Sequence, residues 1–479
     1  MTTYMNFIDN EWTAAYDGRT VEVLDPSTGE AFAQIARSGG SEVGRAAQAA
    51  RHAFEGDWGL MAPAARSRLL LRISQALLDH TDELAALEQR DTGKPSRQAR
   101  ADALGAARYF EFYAGAVDKL HGQTIPYPHD FTVLTLREPH GVTGHIVPWN
   151  YPLQIFGRSV AAALAAGNAC VVKPAEDACL SLLRVAQIAA NVGLPAGALN
   201  IVTGLGAEAG AALAAHPGID HISFTGSPQT GQAVQQAAAA NFVPVTLELG
   251  GKSPQLVFSD ADIEAALPVL LNAIIQNAGQ TCSAGSRVLI QRAIYSDVMG
   301  RLSELFQATR TGTAADDPDC GPLINARQLA RVQAFLEEAD ASGVSVVARG
   351  QLDANAPAGG FYQVPVLLGD VRPEHRLAQE EIFGPVLCAI PFDTEEEALR
   401  IANGTPYGLV AGVWTQDGGR QFRMARRLRA GQVFINNYGA GGGVELPFGG
   451  SGQSGFGREK GFEAMYGFTK LKTVSFRHQ

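Results

Sequence analysis

Cys282 lies in the run Asn277-Ala278-Gly279-Gln280-Thr281-Cys282, and Glu248 lies upstream in Leu247-Glu248-Leu249-Gly250-Gly251-Lys252. A thiol and a carboxylate, each framed by glycine, suit covalent acyl chemistry that water completes. An unpaired cysteine is more often a small buried hydrophobe. Here Gly279, Gln280, Thr281, Ser283, Ala284 and Gly285 surround it, which suits a loop better. Glu248 follows an apolar run, where partial burial would raise its pKa toward that of a useful base. The plainer alternative is a glutamate at a strand end. Asn150, in Pro148-Trp149-Asn150-Tyr151-Pro152, offers an amide donor to an oxyanion, or is a turn asparagine beside proline.

Two glycine turns provide candidate phosphate sites. Gly204-Leu205-Gly206-Ala207-Glu208-Ala209-Gly210 follows a predicted strand and opens a helix, one residue longer than the usual fingerprint. Gly206 and Gly210 are its candidate contacts. Phe224-Thr225-Gly226-Ser227-Pro228-Gln229-Thr230-Gly231 also joins strand to helix, with Ser227 placed as an N-cap and Gly226 beside it. In Lys173-Pro174-Ala175-Glu176, the acidic residue at a strand end can accept both ribose hydroxyls and would repel a 2′-phosphate. That favours NAD over NADP. The bland alternative is a solvated ion pair of little worth.

These residues need a frame. From 142 onward, short apolar runs at 142–147, 169–172, 199–202, 221–224 and 243–247 alternate with alanine-rich segments at 153–166, 178–192, 207–216 and 230–240. That alternation predicts βαβ units and a parallel sheet. A second α/β series follows Gly250, with strands predicted at 287–291, 344–348, 386–390, 409–414 and 432–435. Its helices are predicted at 296–309, 325–341, 394–403 and 419–429. Residues 41–120 read as helical. The β-rich stretches 131–137 and 469–476 belong to neither series and are expected to pair with each other or with a partner subunit.

Size and charge narrow the function further. A chain of 479 residues exceeds the size of a single core and implies two or three domains. With 38 Lys and Arg against 48 Asp and Glu, the net charge of −10 disfavours nucleic acid and acidic membranes as partners. No apolar stretch is long enough to span a bilayer, and the first residues carry no secretory pattern. The five scattered cysteines form no Cys-x-x-Cys pair, so a reducing cytoplasm is expected and no metal site is expected.

Taken together, Pro148-Trp-Asn-Tyr-Pro152, Lys173-Pro-Ala-Glu176, Phe224-Thr-Gly-Ser227, Leu247-Glu-Leu-Gly-Gly-Lys252, Gly279-Gln-Thr-Cys282, Glu381-Ile-Phe-Gly-Pro385 and Pro447-Phe-Gly-Gly450 resemble the aldehyde dehydrogenase superfamily, in order and over nearly the whole chain. The resemblance implies an α/β fold with a Rossmann-like NAD-binding domain (1–122 and 142–249) and a second α/β catalytic domain (250–436). A small β oligomerisation element and tail (123–141 and 437–479) would make a homodimer or homotetramer. It implies Cys282 as nucleophile, Asn150 and the Cys282 backbone N–H as oxyanion donors, and Glu248 as the base that activates water. It further implies Ile146, Val147, Pro148 and Trp149 as the cofactor groove and Lys173 and Glu176 as adenosine-ribose contacts. Phe224, Gly226 and Ser227 would flank the pyrophosphate, with Leu249 nearby, and Glu381 and Phe383 would reach the nicotinamide ribose.

Departures from the family pattern bear on the substrate. Glu459 matches a glutamate that relays protons in some members, but the lysine often paired with it is Ser159 here. Arg158 occupies the place of a carboxylate-binding arginine of succinic semialdehyde dehydrogenases, while their second arginine is Gln276 here. Arg158 is a candidate substrate contact or equally a structural arginine, and Tyr151 beside Asn150 is a second candidate substrate contact. The small residues at 439–443 leave room for a bulky or aromatic aldehyde, or make a flexible loop. Three classes compete: a hydrolytic NAD-linked aldehyde dehydrogenase, a CoA-acylating relative, and a non-catalytic descendant. The retained base favours the first.

Overall fold

The computed structural model describes residues 1–439 and 442–478. Its first sheet has eight strands, in the order Gly455–Phe456, Val245–Glu248, His221–Thr225, Val142–Val147, Ala169–Pro174, Leu199–Ile201, Asn6–Ile8, Glu11–Thr13. The five strands from Val142–Val147 to Val245–Glu248 in chain order run parallel, and the others join antiparallel at the two edges. Helices cover the sheet, so Ala169–Pro174 and His221–Thr225 are buried along their whole length. From Val142–Val147 the chain winds outward through Ala169–Pro174 and Leu199–Ile201, then returns to lay His221–Thr225 on the opposite side. At such a reversal the carboxyl ends of neighbouring strands part and leave a crevice. Its strand ends are in register, with Ile146 beside both Lys173 and Phe224, and Thr225 beside Glu248.

The second sheet has seven strands, ordered Ser345–Arg349, Val366–Gly369, Val386–Phe392, Arg287–Gln291, Pro254–Val257, Val410–Trp414, Gln432–Ile435. Alternate residues feed opposite cores: Leu256 and Leu289 pack on one face, Val257, Val288 and Ile290 on the other. The central strand Pro254–Val257 and the strand Val366–Gly369 escape the sequence reading. Four residues opening on Pro and Gln carry little strand signal, and Pro is tolerated because it starts the strand. The N-terminal strands escape it too, including Asn6–Ile8, whose buried Asn6 accepts from Ser38 and Thr203 at 2.9 Å each.

The two stray β stretches pair with each other. Thr469–Arg477 runs antiparallel to Phe131–Pro139, from Thr469 opposite Pro139 to Arg477 opposite Phe131, and Thr124–Ile125 completes a three-stranded sheet. The 437–479 segment is divided, because its strand Gly455–Phe456 edges the first sheet. Among the described residues no helix is long and apolar enough to cross a membrane.

Candidate active site

The crevice opens into a cavity of about 690 Å³ lined by Ile146, Val147, Pro148, Trp149, Asn150, Lys173, Glu176, Phe224, Gly226, Ser227, Glu248, Leu249, Cys282, Glu381 and Phe383, among others. Residues spread over more than two hundred positions therefore share one space. At one end the Lys173 ammonium donates to the Glu176 carboxylate at 2.8 Å. Burial raises the Glu176 pKa, but Lys173 outweighs it and the net shift is downward, so the pair stays ionic. Ser227 caps the helix Pro228–Ala239, accepting from the Thr230 N–H at 3.3 Å, and the start of that helix lines the cavity. At the other end Trp149 meets Phe383 edge to face, ring centroids 5.4 Å apart.

The glycine pair after Glu248 explains how the reactive groups come together. A Cβ on Gly250 would lie 2.3 Å from Glu381 Oε2, and one on Gly251 would lie 2.4 Å from the Cys282 carbonyl oxygen. Only bare backbone lets the Glu381 loop and the cysteine loop abut the end of the Glu248 strand. Glu381 then accepts from the Gly251 N–H at 3.0 Å, and burial pushes its carboxyl up to about 7.

The cysteine loop is wound in an unusual hand. Asn277, Ala278 and Gly279 follow one another at φ 50°, 53° and 71°. Two of them are not glycine, and such strain persists only when surroundings over-determine it. The Asn277 amide does so by donating to Asn150 O at 2.8 Å, and Gln280 both donates to Asn277 O at 3.1 Å and accepts from Ile324 N at 2.9 Å. Gly279 leaves no room for a side chain, since its Cβ would lie 2.2 Å from Gly384 O. Gly279→Ala is therefore expected to cost about 2 kcal/mol or more from handedness and the clash. A thermal melt reads this as a lowered Tm, and an unchanged Tm would show that the turn relaxes freely.

Asn150 is buried and donates one Nδ2 hydrogen to Gln280 O at 2.9 Å, which aims the amide and leaves its second hydrogen for another acceptor. Glu248 is 1% exposed, and among the described residues its carboxyl oxygens have no hydrogen-bond partner. Burial drives its pKa well above the ordinary range, partly offset by Arg158. Cys282 is partly exposed, lines the cavity, and packs against the cluster of Leu409, Val410 and Phe448, as do Phe434 and Tyr438. Burial pushes its thiol up to about 12, with Arg158 pulling the other way.

Other expected contacts border the cavity without lining it. Gly206 and Gly210 form a π-helical turn, Gly206–Gly210, next to the Lys173–Glu176 pair: the Gly206 backbone hydrogen-bonds Glu176, and a Gly210 Cβ would lie 3.8 Å from Lys173 Cδ. The extra residue of that turn is taken up in the wider π winding. Arg158 lies in another π turn, Gly157–Ala161, and its guanidinium is already ion-paired with buried Glu459 while donating to Thr225 Oγ1 at 3.0 Å. That pairing supports the structural alternative for Arg158. Tyr151 also lies off the cavity lining, its hydroxyl 2.8 Å from Thr281 Oγ1. Ala440 and Gly441 of the 439–443 stretch lie outside the described residues.

Sequence reasoning passed over Gln280, though it stands inside the cysteine motif, and it passed over Gln328 and Arg331. The last two share one face of helix Ala326–Ala341 and donate to Phe383 O at 2.7 Å and Glu381 O at 2.6 Å. Their three-residue spacing is the only trace they leave in the sequence.

The family model for the aldehyde dehydrogenase family matches residues 12–474. The chain belongs to the aldehyde dehydrogenase family. It is 43% identical over 473 residues to the NADP/NAD-dependent aldehyde dehydrogenase PuuC of Escherichia coli, covering 98% of this chain and 94% of that protein. A solved structure from Burkholderia cenocepacia shares 68% identity at a TM-score of 0.99, covering 99% of this chain and 100% of that one. The aldehyde dehydrogenase of Bacillus cereus in its NAD+ complex is 39% identical at a TM-score of 0.97, covering 100% and 97%. Both the fold and the enzyme class expected from the sequence are thereby established.

Proposed function

We propose that this aldehyde dehydrogenase is NAD-linked and hydrolytic, converting an aromatic or bulky apolar aldehyde to its acid. The observation that carries the proposal is one cavity holding a cysteine, an unpartnered buried glutamate and an ionic Lys173–Glu176 pair. The cavity's volume is within the range of about 300–1,000 Å³ common for ligand sites. Lys173 and Glu176 would hold the adenosine ribose, Gly226 and Ser227 the pyrophosphate, and Glu381 the second ribose. An anionic Glu176 disfavours a 2′-phosphate, hence NAD over NADP.

In this reading the Cys282 sulfur bonds to the aldehyde carbon, and its proton is lost to a base. Asn150 and the Cys282 N–H receive the negative oxygen. Bound NAD supplies the acceptor for the hydride lost from that carbon, which leaves a thioester on Cys282. Glu248 removes a proton from water, the water oxygen adds to the thioester, and the acid departs as the sulfur is released. The apolar cluster of Leu409, Val410 and Phe448, against which Cys282, Phe434 and Tyr438 pack, supports an apolar or aromatic substrate. The Arg158–Glu459 pair counts against a carboxylate-bearing semialdehyde.

An absorbance assay for NADH with short aliphatic, carboxylated and aromatic aldehydes, without CoA, tests the proposal. The aromatic aldehydes are expected to show the highest kcat/KM. Strict CoA dependence would transfer the chain to the acylating class, and preference for the carboxylated aldehyde would overturn the substrate reading. The antiparallel pair at 131–139 and 469–477 supports reading 123–141 with much of 437–479 as a subunit contact. Two separate large sheets, one holding the strands between 142 and 248 and the other those between 254 and 435, support the bounds 1–122 with 142–249, and 250–436. Among the described residues the five cysteines are unpaired, which supports a reducing cytoplasm.

A further inference from the structure

Beneath the site lies a buried ionic cluster that the reaction does not consume. Lys94 and Glu88 are almost wholly buried, as is Asp102. The Lys94 ammonium contacts Asp102 and lies 3.4 Å from Glu88 Oε1. Asp102 accepts from Gln154 at 2.8 Å, and Glu88 accepts from Ser181 at 2.8 Å. Taking such charges out of water is costly, and apolar residues of similar volume would often serve stability as well. Position is the better explanation. The same ammonium lies 4.1 Å from the centroid of the Tyr151 ring, and the Tyr151 hydroxyl is 2.8 Å from Thr281 Oγ1. Tyr151 follows Asn150 in the chain and Thr281 precedes Cys282. Helix Ser96–Ala114, which carries Asp102, also supplies Gln98, whose Oε1 accepts from the Asn277 N–H at 2.9 Å.

We infer that Lys94, anchored by Asp102 and Glu88, is a positioning residue that pins Tyr151 and, through Thr281, holds the oxyanion donor and the nucleophile in mutual register. The cation grips the ring from one side, and the hydroxyl ties the Asn150 loop to the Cys282 loop from the other. Neither contact touches the cofactor cavity. The inference rests on the roles proposed for Cys282 and Asn150.

Tyr151→Phe removes only the hydroxyl tie. Its kcat is expected to fall about tenfold, while NAD affinity and aldehyde KM change by less than about twofold, because alignment is lost and binding is not. Lys94→Met lowers kcat as well, Lys94→Arg restores most of it, and Lys94→Met with Tyr151→Phe is no worse than Lys94→Met alone, since both break one linkage. Should Lys94→Met fail to fold, Tyr151→Phe with Thr281→Ala supplies the same cycle. A Tyr151→Phe enzyme with wild-type kcat, or losses that multiply in the double variant, would overturn the inference. Cys282→Ala separates the levels. If that variant stays active, the underlying reading fails; if it is inactive while Tyr151→Phe is fully active, only the positioning role fails.

Discussion

Cys282→Ala is expected to reduce aldehyde oxidation by about 10⁴-fold or more, since no other group at the site can form the covalent intermediate. NAD affinity is expected to persist. The Lys173–Glu176 pair and the Ser227-capped helix belong to the first sheet, and alanine at the cysteine position disturbs neither. Steady-state NADH formation and fluorescence titration with NAD measure the two quantities separately. Appreciable turnover in this variant would remove the thiol from the mechanism. The raised thiol pKa sharpens the expectation, because ionisation must be assisted within the site rather than left to solvent.

Glu248→Gln comes second. The amide keeps the shape and cannot accept a proton from water, so a burst of NADH near one equivalent per site precedes a steady rate reduced by about 10²–10⁴-fold. An unchanged steady rate would dismiss Glu248 as base. Loss of the burst as well would assign it to thiol ionisation too. The pH dependence has a definite sign. Burial raises the Glu248 pKa, so the basic form, and with it kcat, grows as pH rises through that elevated value. This limb is expected to disappear in Glu248→Gln.

Stability moves the opposite way. A carboxyl whose folded pKa is raised favours folding below its unfolded pKa and progressively disfavours it as pH climbs toward the folded value. Glu248→Gln should therefore raise Tm at neutral pH and leave it unchanged in acid.

Much of this site was legible in the residues because glycine and proline mark backbone demands. The glycines framing Glu248 stood out in the sequence, although not that Gly250 and Gly251 admit Glu381 and Cys282. The strand–helix alternation from 142 to 248 was readable because helices cover both faces and leave unbroken apolar runs. Asn6–Ile8 and Pro254–Val257 were not, since a buried Asn and a leading Pro mask short strands that tertiary pairing alone stabilises. Arg158 stayed open between two roles for a related reason. Its type suited a carboxylate, and only the fold reveals that the carboxylate is the chain's own Glu459.

Glu248 ends a strand of one sheet, while Cys282 hangs from the lead-in to Arg287–Gln291 in the other, each with its own core. Base and nucleophile are thus mounted on opposite jaws. Hydrogen bonds from Asn150 to Gln280 and from Asn277 to Asn150 clasp the two jaws across the seam, so the spacing of base and nucleophile is inherited from that clasp.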